Sequence, residues 1–237
     1  MHDSLGDRMK GNYENRNRYF LTRRMPVIIR IDGKAFHTLT KKWKCQKPFD
    51  EKLNIAMTET TAFLLKEFQG AKIAYHQSDE ISLLLTDYDK LTTDGWFDYN
   101  IQKICSVGAS TATACFNARH EEGRRNPAIF DCRCFNIPRE EVTNYFIWRQ
   151  KDWIRNSASM LAQSEFSHKE LEGKSQADMH EMLYWRGINW ADLAPVWKNG
   201  SLMELTKMHF LDITQNRDII ENHVYCDIAA LKLRGER

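Results

Sequence analysis

The sequence predicts an α+β fold of the split βαβ, or ferredoxin-like βαββαβ, kind, with helices on one face of the sheet and a mostly helical C-terminal extension. Three observations carry that expectation. The β-branched run Val27-Ile28-Ile29-Arg30-Ile31 stops abruptly at Asp32-Gly33, as a packed strand ending on a polar rim does. Two short apolar runs between Lys72 and Leu85 flank a polar corner, Gln77-Ser78-Asp79-Glu80, the pattern of a β-hairpin. Two long segments read as helices, one near 50–68 with a one-sided apolar pattern and one near 96–118 with an unusually small-residue middle. The resulting order is strand, helix, strand, strand, helix, strand.

Each element has its own local reasons. Residues 4–20 are polar and basic with scattered Leu5, Met9, Tyr13, Tyr19 and Phe20, and read as a short helix or arm laying those side chains on the core. The first strand spans about 25–31, with Pro26 tolerable at its start. A lysine-rich loop, Thr40 to Lys47, leads to Pro48, and Asp50 and Glu51 then mark a helix N-terminus. Leu53, Ala56, Met57, Thr60, Leu64 and Phe68 form its apolar face, and Gly70 ends it. The hairpin follows. The second helix carries small side chains from Ser106 to Ala114, which allow close packing. Ala128 to Asn136 reads as the fourth strand. Pro138 with Glu140 and Glu141 opens a helix reaching about Phe166. Ser167-His-Lys-Glu170 and Ser175-Gln-Ala-Asp178 are capping boxes, and Gly187 closes the helix that the second one starts. Residues 189–200 read as loop, and 201–237 show no clean period. The expected division is a catalytic unit with its arm over 1–136 and the extension over 137–237.

Composition narrows the class. The 237 residues, 42% hydrophobic and 11% aromatic, are enough to bury a sizeable core. No apolar run approaches the ~20 residues of a membrane span, and the first residues lack the apolar middle of a secretory signal, so a cytoplasmic setting is expected. Cys45, Cys105, Cys115, Cys132, Cys134 and Cys226 are scattered. Cys132 and Cys134 form a C-x-C pair with no second pair, which argues for reduced thiols rather than a zinc site. A net charge of +2 does not by itself identify a nucleic-acid binder. Basic residues do cluster in the first segment and at Arg149, Lys151 and Arg155, which suits a phosphate-rich partner or simply a solvated face.

Topology turns two distant aspartates into neighbours. In a split βαβ unit the third strand fills the gap between the first two and runs antiparallel to the first. The end of the first strand, Asp32, then lies beside the start of the third, Asp79. Two such carboxylates repel unless something neutralises them. A pair of Mg²⁺ ions, each taking one or two carboxylates plus waters and substrate phosphates, does so, and two ions ~4 Å apart stabilise attacking and leaving oxygens in phosphoryl transfer. The Gly33 carbonyl is a further metal ligand in this reading, and the Gly33-Lys34-Ala35-Phe36-His37 loop offers backbone N–H groups to a triphosphate. Bland readings stand beside these: Asp-Gly as a turn, Asp79-Glu80 as a polar corner, Ser78 closing the turn, and Lys47 exposed to solvent. His37 and His76 stack or hydrogen-bond rather than ligate Mg²⁺. No G-x-x-x-x-G-K-[ST] run is present, which excludes a P-loop, and no Ser-His-Asp or Cys-His arrangement is readable.

Arg30-Ile-Asp-Gly-Lys-Ala-Phe-His37, Lys47-Pro48, Ala74-Tyr-His-Gln-Ser-Asp-Glu80 and Trp148-Arg-Gln-Lys-Asp152 resemble the tRNA(His) guanylyltransferase family, including its bacterial and archaeal tRNA 5′-end repair branch. The resemblance extends from about residue 5 to 205. It implies a palm-like domain that adds nucleotides in the 3′-to-5′ direction. In that family a tRNA 5′-phosphate is activated with ATP, and the 3′-hydroxyl of an incoming nucleoside triphosphate such as GTP displaces AMP. By matching positions, the catalytic set is Asp32, Asp79 and Glu80, with two Mg²⁺ held by Asp32, Gly33 and Asp79. Asp32 to His37, Lys47, Ser78 and Asp79 would bind the nucleotide. Arg30, Lys103, Arg133, Arg149, Arg155 and Asn156 would face phosphates or the tRNA end. A homotetramer is implied. The eukaryotic branch carries His-Ile-Asn-Asn-Leu-Tyr-Asn where this chain has Trp153-Ile-Arg-Asn-Ser-Ala-Ser159, and an arginine where this chain has Asn100, so the repair-type branch is the nearer likeness. A palm-type nucleotidyl cyclase and a catalytically inactive RNA-binding module are the alternatives.

Overall fold

A computed structural model describes residues 4–225. One six-stranded sheet organises the chain: β1 (Val27–Gly33), β2 (Ala71–Gln77), β3 (Glu80–Leu85), β4 (Phe130–Asn136), β5 (Ser201–Glu204) and β6 (Lys207–His209). The order across it is β4-β1-β3-β2-β5-β6, and every neighbouring pair is antiparallel. The first four strands thus take the ferredoxin-like order that the sequence predicts. β5 and β6, in the stretch without a readable period, extend the β2 edge. Strands of four and three residues are too short for alternation to show, and pairing with β2 is what makes them strands.

The sheet is covered on both faces. α3 (Glu51–Glu67) and α4 (Ile101–Arg119) cover one, where Val27, Ile29 and Ile31 meet Met57, Leu64, Ile104 and Phe116. Asp50 caps α3 by accepting from Leu53 N at 2.9 Å, and Asn100 caps α4 by accepting from Lys103 N at 3.0 Å. The predicted α4 start at 96 is early by five residues, because Trp96–Tyr99 form a separate 3-10 turn. The small residues of α4 serve close packing: a Cβ on Gly108 would fall 2.9 Å from Cys132 Sγ on β4.

The other face is covered by α5 (Arg139–Glu165), a continuous 27-residue helix, and by α9 (Asp218–Tyr225). Ile28, Tyr75 and Leu84 of the sheet meet Val142, Phe146, Ile220 and Val224 there. Past the sheet, α5 forms a small separate core with α6 (His168–Leu171) and α7 (Gln176–Trp185). Both predicted capping boxes are formed, by Ser167 with Glu170 and by Ser175 with Asp178. Within 189–200, read as loop, a short helix α8 (Pro195–Asn199) is present, and part of the lysine-rich loop is helix α2 (Phe36–Lys42).

The N-terminal segment departs from expectation. α1 (Ser4–Asn12) buries no residue, and Leu5, Met9, Tyr13, Tyr19 and Phe20 are exposed rather than laid on the core. The five cysteines among the described residues are unpaired; Cys226 lies outside them. No helix among the described residues is long and apolar enough to cross a membrane.

Candidate active site

The register of β1 against β3 places Asp32 opposite Glu80, and Gly33 N donates to Asp79 O at 3.1 Å. Asp79 Oδ2 lies 2.8 Å from where a Gly33 Cβ would stand, and that Cβ would also overlap the Phe36 ring. Glycine is therefore required for the strand end and the hairpin turn to close on each other. Asp32 and Asp79, 47 positions apart, share one rim of the sheet. Burial pushes Asp79 up to about 6, with the negative charges of Asp32 and Glu80 adding and the Ser78 hydroxyl, which donates to Oδ1 at 2.9 Å, opposing. A carboxylate so destabilised in its charged form favours a cation beside it. Among the described residues no group of three or more His, Cys, Asp or Glu side chains is arranged for a metal. Two aspartates and the Gly33 carbonyl are a sparse, hard-oxygen donor set of the kind that leaves positions for water and phosphate, which fits Mg²⁺.

Glu80 has a different environment from the two aspartates. Arg149 Nε and Nη2 donate to its Oε1 and Oε2, both at 2.6 Å, and Arg30 Nη2 reaches Oε2 at 2.6 Å. Its carboxylate is saturated by guanidinium groups, so it holds the start of β3 to α5. The same bridge occupies Arg149, whose side chain is 5% exposed; that residue, read from sequence as facing RNA phosphates, is turned into the protein. Arg30 also sits 3.5 Å from Asp32 Oδ2, and Arg133 on β4 pairs with Asp131 at 2.9 Å and lies 4.0 Å from Asp32. Arg155 is exposed and paired with Asp152 at 2.7 Å. Asn156 and Lys103 are exposed, and Lys103 lies over the Phe97 ring at 5.8 Å.

The loop after β1 divides its backbone donors. Gly33 N and Lys34 N are engaged, by Asp79 O and by Ile129 O at 2.8 Å. Ala35 takes a left-handed conformation and caps α2, leaving the Ala35, Phe36 and His37 N–H groups at the first turn, where no intrahelical partner exists. The Phe36 ring is buried against Phe116 and Phe130, so only its backbone faces outward. His37 and Lys47 line a cavity of about 480 Å³ with Lys41, Lys44, Asp50 and Met160. No sequence motif joins the Asp50 cap to this basic cavity; the lysine run leading to Pro48 is its only local signal. His76 is buried, its Nε2 3.0 Å from Thr58 Oγ1, and burial lowers it to about 4, which suits a neutral hydrogen-bonded imidazole. Trp153, where the eukaryotic run has its histidine, is 3% exposed and packs at 6.2 Å from Phe49.

A β4-β1-β3-β2 sheet with acidic groups at the β1 end and β2–β3 turn defines a palm-like domain. The sequence profile of the tRNAHis guanylyltransferase family matches residues 6–138, and the chain belongs to that family. It is 30% identical to a probable tRNA(His) guanylyltransferase of Dictyostelium discoideum over 219 residues, covering 83% of this chain and 84% of the relative. A bacterial tRNA(His) guanylyltransferase-like protein solved in complex with ATP is similar at 48% identity and a TM-score of 0.88, over 94% of this chain and 100% of that one. The structure of such a bacterial protein in complex with GTP is similar at 46% identity, a TM-score of 0.81 and the same coverage.

Proposed function

We propose that the protein is a template-dependent 3′-to-5′ nucleotidyltransferase that adds nucleotides to the 5′ end of tRNA. The observation that carries this reading is the approach of the Asp79 carboxylate to Gly33, beside Asp32, at the open rim of a palm-like sheet. Family membership supplies the reaction: activation of the RNA 5′-phosphate by ATP with release of pyrophosphate, then attack by the 3′-hydroxyl of the incoming triphosphate with release of AMP. ATP and GTP are accordingly the proposed substrates. Such chemistry calls for positioning and charge neutralisation rather than a strong nucleophile.

Asp32, Asp79 and the Gly33 carbonyl would hold two Mg²⁺, which would neutralise phosphate charge and polarise the reacting oxygens. The free N–H groups of Ala35, Phe36 and His37 orient the triphosphate, Ser78 stands beside it, and Lys47 borders it from the cavity wall. Arg30 and Arg133 face the RNA 5′-phosphate, and Lys103, Arg155 and Asn156 line its approach. Glu80 acts through the geometry of β3, not as a free ligand. The proposed setting is cytoplasmic, in keeping with the unpaired thiols, and the proposed assembly is a homotetramer, for which the uncovered apolar side chains of α1 offer surface.

Incubation of 5′-truncated tRNA with ATP, Mg²⁺ and labelled GTP tests the reading. RNA lengthened at its 5′ end, most efficiently when the incoming base pairs with the template position, is expected. Folded protein that leaves the RNA unextended rejects it, and RNA-independent turnover of the triphosphate would point to a cyclase instead.

A further inference from the structure

We infer that Trp148 is a stacking platform for an unpaired nucleobase at the RNA end; the inference rests on the proposed reaction and adds a contact that recognises the base rather than the phosphates. Of the seven tryptophans in the chain, Trp43, Trp96 and Trp153 are buried, whereas Trp148 is 50% exposed although it lies within the 27-residue α5. Its ring is held from below and from the side. The Arg149 guanidinium lies 4.5 Å from the ring centroid, and Tyr145 meets it edge-on at 5.9 Å and 68°. Tyr145 is itself fixed by its hydroxyl at 2.8 Å from Ser82 Oγ and by Phe135 at 5.9 Å. An indole immobilised in this way loses little freedom when a flat partner settles on it.

The surroundings select the partner. The contact of Tyr145 with Phe135 puts Trp148 on the β4 side of α5. There Arg133, 52% exposed, stands opposite Arg30 in the β1–β4 register, and Arg30 Nε is buried with no hydrogen-bond partner among the described residues. An aromatic face next to guanidinium groups that border the acidic rim matches a base joined to a phosphate, the arrangement by which single strands are held. The cavity bordered by Lys47 and His37 is lined from α2, the 43–50 segment and the far part of α5, not by Trp148, so a separate base, that of the RNA, is assigned here. A second protein copy would meet a surface lined by arginines rather than an apolar one.

Steady-state kinetics on the full-length wild-type chain, Trp148→Ala and Trp148→Phe test this, with melting curves and light scattering on each. Wild-type extension of truncated tRNA establishes the reaction first; its absence would defeat the proposed function whatever Trp148 does. Given extension, Trp148→Ala is expected to raise KM for RNA about tenfold or more, with KM for GTP and the melting temperature nearly unchanged, and Trp148→Phe to recover most of the loss. An unchanged KM for RNA, a shift confined to the nucleotide, or a changed oligomeric mass with RNA affinity intact would each overturn the inference.

Discussion

Arg149 holds Glu80 through two parallel contacts, Nε to Oε1 and Nη2 to Oε2, each 2.6 Å long, with both side chains 5% exposed. The bridge joins α5 to the first residue of β3, directly opposite Asp32. Arg149→Met takes the two-point partner from a buried carboxylate and leaves it only Arg30, so it should lower stability in urea unfolding by up to about 3 kcal/mol, less than a fully stranded charge would cost. Pairing it with Glu80→Gln should recover only part of that loss, because Arg30 then loses its 2.6 Å partner and keeps only the 3.5 Å contact to Asp32. Arg149→Lys cannot supply the two-point geometry and should recover little.

Asp79 predicts an opposition between stability and activity. Its carboxyl is raised by burial from 3.8 to about 6, so the folded state binds the proton more tightly than the unfolded one. That contribution to stability is full below pH 3.8 and is lost as pH rises through 6. In metal-free buffer at pH 7.5, Asp79→Asn should therefore melt higher than wild type, by on the order of 1–2 kcal/mol once partial exposure is allowed for. The gain should vanish near pH 4, while nucleotide addition falls at least about 1,000-fold if the carboxylate holds Mg²⁺.

The same shift sets a pH dependence for the metal. Mg²⁺ binding needs ionised Asp79, so it must displace the proton below pH 6. Apparent Mg²⁺ affinity, read from metal-dependent stabilisation in thermal melts, should be nearly flat above pH 7. Below 6 it should fall by up to about tenfold per pH unit. In Asp79→Asn that dependence should disappear.

Gly33→Ala tests the closeness of strand end and hairpin. The added Cβ would overlap the Phe36 ring and crowd Asp79 Oδ2 at 2.8 Å. Far-ultraviolet circular dichroism should stay close to wild type, whereas the Mg²⁺ concentration for half-maximal addition should rise about tenfold or more, as for a misplaced catalytic group.

Asp50 ties the cavity wall to α3, accepting from Leu53 N at 2.9 Å with one oxygen and from Gln46 N at 2.8 Å with the other. Asp50→Ala should lose about 1–2 kcal/mol and raise KM for the nucleotide through the loosened segment bearing Lys47. Asp50→Asn, which keeps an acceptor and still caps well, should lose less of the stability.

The strands, caps and strand order could be read from local chemistry. Val27 to Ile31 can hardly be anything but packed strand, and Asp50, Ser167 and Ser175 signal helix starts with partners three residues away. From the order of elements alone, Asp32 and Asp79 had to become neighbours, because handedness leaves one way to fill the gap between parallel strands. Less was legible where the partner is remote. Four-residue β5 carries no period of its own, and α1 has apolar residues but no surface within the described chain to receive them.

The amino-acid order by itself determined the ferredoxin-like sheet and the place on its rim where the acidic groups gather, since strand propensity, turn chemistry and connection handedness all act over short stretches of chain. Only the tertiary structure decided how those groups differ. It set Arg149, 69 positions further on, against Glu80, left Asp79 half-buried without a guanidinium, and turned Trp148 outward while sealing Trp153 inside. Those outcomes depend on how α5 lies across the sheet, and charge neutralisation at that distance leaves no local pattern in the sequence.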